Sequence, residues 1–272
     1  MDSYYNNNNE NNYNENNYKE KYISFNHNDF NDLGSELFKL ALIMTYAQKT
    51  NRVLVLFNEE YMNFINIFIK CNYKYDNEIK FNKKQNFNFN IDYDDENLFV
   101  DFNEIDKHTY FNNNLISSKI RVLLSLLITN NSNFINFTYN RINEIMNHFK
   151  DYKLDNFVCI DIKKNTYDKD YYERAYYRHF YNKKLIVRTD DIEWAEKNIN
   201  FIDKSLITFI ENSSNKDLCQ NFKDFIYLCH FNNYIIQNDY YSWWIAYLSN
   251  MEKKVIVPNN NKNLFLSEWI KQ

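Results

Sequence analysis

Ile23-Ser24-Phe25, then Asn31-Asp32-Leu33-Gly34-Ser35-Glu36-Leu37-Phe38-Lys39-Leu40-Ala41, then Val53-Leu54-Val55-Leu56-Phe57 form an ordered series. It runs from an apolar triplet through a turn around a glycine and a periodic segment to a second apolar run. Leu37, Leu40, Ala41, Met44 and Ala47 recur at helical spacing and share one face. Strand, glycine turn, helix, strand is the order of a βαβ unit, which implies a parallel sheet with right-handed crossovers. Gly34 is the one glycine in 272 residues, against a usual share of about 7%. It stands there by accident of composition, or because the backbone needs a positive φ or close approach by a ligand.

The second half alternates in the same way. Phe157-Val158-Cys159-Ile160-Asp161-Ile162, Leu185-Ile186-Val187 and Leu206-Ile207-Thr208-Phe209-Ile210 read as buried strands, with Tyr234-Ile235-Ile236 and a last strand at Val255-Ile256-Val257-Pro258. Helices fall between them at 170–181, from the Asp190-Asp191 cap to Ile199, at 222–229 and at 242–249. Residues 115–150 carry a helical pattern, and 70–100 are polar and aromatic with short strands. Residues 1–20 are Asn-rich and too poor in apolar groups to offset ordering entropy, so they read as a disordered tail. Asp151-Tyr152-Lys153-Leu154-Asp155 then divides an N-terminal α/β domain, 21–150, from a C-terminal one, 151–272. Two α/β halves with a cleft between them should gather ligands at the carboxyl ends of their strands.

Composition bounds the partners. Aromatics reach 19%, and Asn, Lys, Tyr, Phe and Ile are in excess, a bias of A/T-rich codons that leaves Asn to do the turn work of Gly and Pro. A net charge of -4 argues against a broad nucleic-acid or membrane-surface partner, while leaving room for a local phosphate pocket. Cys71, Cys159, Cys219 and Cys229 have no metal-site spacing and read as free thiols of a reducing compartment. No run approaches the roughly 20 apolar residues of a membrane span, and the start has no apolar signal region. The expected location is cytoplasmic.

Three clusters carry candidate chemistry. Asp161-Ile162-Lys163-Lys164-Asn165-Thr166-Tyr167 sets two lysines at a strand's carboxyl end, as point charges for phosphate or as a solvated basic turn. Arg188-Thr189-Asp190-Asp191-Ile192-Glu193-Trp194 sets three carboxylates at a strand-to-helix junction, to read ribose hydroxyls or simply to favour a helix start. Asn238-Asp239-Tyr240-Tyr241-Ser242-Trp243-Trp244 runs from a polar loop into a helix N-terminus, a place for an anion. Its adjacent tryptophans do not fit one amphipathic face, so one should pack in the core and the other border the cleft.

In order and spacing these segments resemble the α-1,2-fucosyltransferase family (glycosyltransferase family 11). Its Gly-x-Leu-Gly-Asn-Gln-Met-Phe-like opening is matched by Asn31 to Phe38, and its His-x-Arg-Arg-x-Asp motif by Asp161 to Thr166. Its Ser-Asp-Asp-Ile-x-Trp motif falls on Thr189 to Trp194, and its Asn-Ser-Ser-Phe-Ser-Trp-Trp-Gly-Ala-Trp-Leu motif on Asn238 to Leu248. The resemblance covers roughly residues 22–260. It implies a GT-B-like fold of two Rossmann-like halves and metal-independent, inverting transfer of fucose or a related deoxyhexose. The donor is then GDP-fucose or another nucleotide sugar, with no further cofactor, and the acceptor a galactoside-like glycan. Lys163 and Lys164, with Asp161, would occupy the catalytic phosphate motif; Asp190, Asp191, Asn238, Asp239 and Ser242 the donor site; Gly34 and Ser35 the cleft backbone. The motif arginines are lysines here, the motif histidine is Asp161, and the two phosphate-side serines are Asp239 and Tyr240. A glycan- or partner-binding relative without turnover is the second reading.

Overall fold

In the computed structural model the described residues are 20–26, 33–56, 73–75, 80, 83–86, 97–101, 132–211, 218–249, 252–259 and 265–272. Residues 1–19 of the expected tail, the turn residues Asn31 and Asp32, Phe57, Cys71 and the helical pattern at 115–131 lie outside them.

The first sheet contains β1 (Tyr22–Phe25), β2 (Val53–Leu56), β3 (Tyr73–Tyr75), β4 (Lys83–Asn86) and β5 (Leu98–Asp101), in the order β3-β2-β1-β5-β4. All its pairings are parallel. Helix α1 (Leu33–Thr50) makes the crossover from β1 to β2, as the opening pattern implied. Ser24 is fully buried within this apolar set and its hydroxyl donates to the Val55 carbonyl on β2 at 2.7 Å.

Helix α2 (Ser132–Phe149) leads into the second sheet. There β6 (Phe157–Ile162), β7 (Lys184–Thr189) and β8 (Ile207–Glu211) alternate with α3 (Lys169–His179) and α4 (Ile192–Asn198). Then come α5 (Leu218–Leu228), β9 (Asn233–Ile235), α6 (Tyr240–Leu248), β10 (Lys254–Val257) and β11 (Ile270–Lys271). The strand order is β11-β10-β9-β6-β7-β8, all parallel. That is the doubly wound order, with its switch point between β6 and β9. β10 is not the last strand, contrary to the sequence expectation. The two-residue β11 follows it, too short to carry a periodic signal.

Every residue of β6 is buried, because helices cover both faces of the sheet. Val158, Ile160 and Ile162 pack with α3 residues such as Tyr172 and Ala175. Phe157 and Cys159, on the alternate face, join the cluster containing α5, α6 and α1. Asp161 shares that second parity. Helix α2 packs here too, with Phe134 edge-on to Phe222 at 5.4 Å and Phe149 edge-on to Phe157 at 5.7 Å. Cys159 and Cys229 are buried free thiols in this cluster.

Gly34 is the second residue of α1, and no glycine φ is positive. A Cβ added there would lie 2.6 Å from the Tyr240 carbonyl carbon, the Tyr240 Cβ and the Tyr241 nitrogen. The close approach is therefore made by the protein's own α6, not by a turn conformation or a ligand. The Trp244 indole N–H donates to the Gly34 carbonyl at 3.1 Å. Phe38, one turn on, packs its ring against Tyr240, Trp243 and Trp244, with centroids 5.5, 4.9 and 4.7 Å away. Both tryptophans are fully buried, so neither borders a cleft. The reason is that α6 is buried at all nine positions, a central helix rather than an amphipathic one.

Candidate active site

The two lysines after β6 diverge. Lys163 turns toward β9 and pairs with Asp239 at 3.3 Å. Lys164 turns toward β7, where its ammonium meets Asp191 at 3.0 Å and its backbone N–H donates to Asp190 at 3.1 Å. The β6 carboxyl end is thus flanked by two helix starts, α4 and α6. Asp191 caps α4 by accepting the Trp194 N–H at 2.9 Å; that bond, then Lys164, holds its carboxyl below the usual carboxylate range. Glu193 is exposed. Trp194 is half-buried and meets Tyr167 edge-on, and Tyr167 stacks on Tyr172.

Asp239 caps α6, accepting the N–H groups of Tyr241 and Ser242, each at 3.2 Å. The anion place expected at this helix start is therefore held by the chain's own carboxylate, with Lys163 as its counter-ion. Although burial works against its charge, Lys163 and the Ser242 hydroxyl hold Asp239 well below the usual range. Ser242 is buried, and its hydroxyl contacts both Asp239 and the Asp161 Oδ2, the latter at 3.1 Å.

Asp161 is balanced from inside. Arg188 lies directly across from it in the β6–β7 register and donates to its Oδ1 at 2.9 Å. The guanidinium also donates to Asn221 at 3.1 Å and lies 3.7 Å over the Tyr241 ring. Burial outweighs this pairing and pushes the Asp161 carboxyl up to about 6. Sequence reasoning missed Arg188 and Asn221. The available signal was an acid in one apolar strand and an arginine in the next, each at the fifth position.

Beside this cluster lies a cavity of about 340 Å³. Lys163 and Thr166 after β6, Gln237, Asn238 and Asp239 after β9, and Pro258 after β10 line it, with Asp168 and Tyr171 from the start of α3. Its size falls within the range of small-ligand sites, and it opens at the switch point of the doubly wound sheet. Lys163, Asn238 and Asp239 thus meet at one cavity, with Asp161 and Ser242 behind it. Lys164, Asp190 and Asp191 stand on the β7 side. Gly34 is packed against the start of α6 and Ser35 is half-buried on α1. Among the described residues no group of three His, Cys, Asp or Glu side chains is placed to hold a metal, and no helix is long and apolar enough to cross a membrane.

The model of Glycosyl transferase family 11 matches residues 13–272. The chain belongs to this glycosyltransferase family. It is similar to the O-antigen biosynthesis glycosyltransferase WbnK of Escherichia coli, at 32% identity over 112 residues. That match takes in 37% of this chain and 35% of WbnK, about a third of the relative's length. Among solved structures the fold is similar to fucosyltransferase NodZ from Bradyrhizobium, with a TM-score of 0.53 and 14% identity over 84% of this chain and 92% of that one. A NodZ α-1,6-fucosyltransferase co-crystallized with GDP matches with the same figures. The family 11 protein is thus an α/β, GT-B-like chain of two Rossmann-like sheets, and the family implies nucleotide-sugar and glycan substrates.

Proposed function

We propose that this family 11 protein transfers fucose, or a related deoxyhexose, from a GDP-sugar to a hydroxyl of a galactoside-like glycan with inversion. The observation that carries this reading is the cavity at the β6/β9 switch point, with Lys163 at its edge. A diphosphate there would have Lys163 and Lys164 at the two sides of the β6 carboxyl end, where they offset the charge that develops as the diphosphate leaves. Asn238 and Asp239 border the same space, Ser242 supports Asp239 from behind, and Asp190 and Asp191 stand on the nucleotide side. The acceptor oxygen bonds to the anomeric carbon as that carbon's bond to the diphosphate oxygen breaks, and the hydroxyl proton passes to a base. The N-terminal half, whose helix α1 carries Gly34 and Ser35, supplies the acceptor side.

A second reading, a binding protein without turnover, is favoured by one observation: both lysines already face carboxylates of the chain itself. Purified protein incubated with a panel of nucleotide sugars and β-galactosides separates the two. Acceptor-dependent GDP release from GDP-fucose that falls about 100-fold in Lys163→Ala is the expected result. No release from any donor, together with no calorimetric binding of GDP, leaves the second reading standing.

A further inference from the structure

Asp161, Ser242 and Asp239 present a hydrogen-bond count that two ionised carboxylates do not satisfy. A hydroxyl has one proton to give and otherwise accepts. The Ser242 oxygen is in contact with carboxyl oxygens on both sides, Asp161 Oδ2 at 3.1 Å and Asp239 Oδ2 closer still. One O–H cannot serve both in full, and a proton on one of the two carboxyls completes the set. The partners around the pair say which. Asp239 collects Lys163 and two backbone N–H groups, all suited to a carboxylate. Asp161 has its Oδ1 taken by Arg188, which leaves Oδ2 to carry a proton toward Ser242.

We propose that Asp161 and Asp239 hold one proton between them across the Ser242 hydroxyl, and that its position decides whether Lys163 is clasped by Asp239 or released to a donor phosphate. With the proton on Asp161 Oδ2, Ser242 donates to Asp239, and the ionised Asp239 keeps Lys163. When a phosphate draws Lys163 away, Ser242 passes its hydrogen to Asp239 Oδ2 and takes the one from Asp161. Asp161 is then the carboxylate, facing Arg188. One proton moves at each end, net charge is conserved, and no bond to carbon changes. Asp161, Ser242 and Arg188 are positioning residues in this scheme; they act on the donor through Asp239 and Lys163.

The charged and titratable groups facing the pair come from every neighbouring element. Arg188 comes from β7 and Lys163 from the end of β6, and Tyr241 stands on α6 beneath the guanidinium. Tyr172 of α3 donates its hydroxyl to the Asp161 carbonyl, Asp224 of α5 adds negative charge near Tyr241, and Asp168 lines the same cavity. The raised Asp161 and lowered Asp239 agree with a proton resting on the buried side, where the two carboxyls also hydrogen-bond each other directly beside Ser242. Once pH removes it, both groups are anions, Lys163 stays clasped, and a diphosphate meets added repulsion.

The scheme rests on the donor-site reading, and its test has two arms that separate the two ideas. In protein carrying ¹³C-labelled aspartate, the Asp161 carboxyl carbon, assigned by its loss in Asp161→Asn, is expected to titrate near pH 6 and to shift its midpoint in Ser242→Ala. Ionisation of both Asp161 and Asp239 below pH 4.5 would overturn the shared proton. In the second arm, calorimetry follows GDP-fucose, whose phosphates are both esterified and do not titrate in the range used. Affinity should weaken by about tenfold per pH unit above the midpoint. It should be flat in Asp161→Asn, whose amide donates to Ser242 at any pH. Affinity independent of pH in the unaltered protein would overturn the control of Lys163. Absence of GDP-fucose binding at every pH removes the donor reading and the control of Lys163 with it, while the carboxyl titration still decides the shared proton.

Discussion

Gly34 excludes a side chain because another helix's backbone already occupies the space. Only a backbone shift of α1 or α6 could relieve the contact, since the atoms 2.6 Å from an added Cβ include the Tyr240 carbonyl carbon and the Tyr241 nitrogen. Gly34→Ala should therefore destabilise the protein by about 1–3 kcal/mol, read as a lower denaturant midpoint. An unchanged midpoint would mean that α6 yields freely. The solitude of Gly34 left accident and necessity open, and its reason was not legible because its partner Trp244 lies 210 residues further along. Charge at the site shows the same division. The sequence marked Asp161 as an added anion beside a phosphate motif, but the register that pairs it with Arg188 is a property of the folded sheet. Its raised pKa has a consequence for stability with a definite sign. Held at about 6 against an ordinary 3.8, Asp161 contributes stability that is full below 3.8 and lost as pH rises through about 6. Asp239, held low, works the other way; its contribution is present above 3.8 and lost only as pH falls below that value. Between pH 4.5 and 6.5 the unaltered protein should therefore lose stability relative to Asp161→Asn. Urea midpoints of the two across that window check it, and a constant difference would show Asp161 ionised throughout.

The elements of the second half were readable because their signals are local. β6 falls at the residues expected from its apolar run, and Asp191 caps α4 through a bond three residues long. The forecast that Asn would take over the turn work of Gly is visible at Asn51 and Asn182, which adopt φ of 50° and 67°. The helix read at 242–249 matches α6 within two residues at its start, but its surroundings differ from that reading. Amphipathic reasoning presumes one wet face, and α6 has none. Its link to α1 includes one directed bond, from the Trp244 indole to the Gly34 carbonyl. Trp244→Phe keeps a large aromatic ring but removes the hydrogen bond that ties α6 to the Gly34 carbonyl. The expected loss is about 0.5–1.5 kcal/mol, measured by chemical denaturation. A loss near zero would mean that another donor replaces the indole.

At the scale of the molecule, the first sheet and one face of the second share a single interior. One continuous apolar cluster takes in Ile23 and Leu54 beside the first sheet and Phe157, Tyr234 and Val255 of the second, with α1 and α6 between them. Scanning calorimetry should accordingly give a single cooperative transition, and two resolved transitions would contradict the shared core. Two α/β halves were legible from the alternation of strands and helices. The shared core was not, since it depends on which helix faces which. The contact of Gly34 with Tyr240 then acquires a mechanical meaning. Main-chain atoms meeting without an intervening side chain leave no rotamer to adjust, so any shift of α1 at Gly34 is passed directly to the backbone at Tyr240. The residue just before Tyr240 is Asp239, so the helix start fixed by Gly34 carries the carboxylate that grips Lys163.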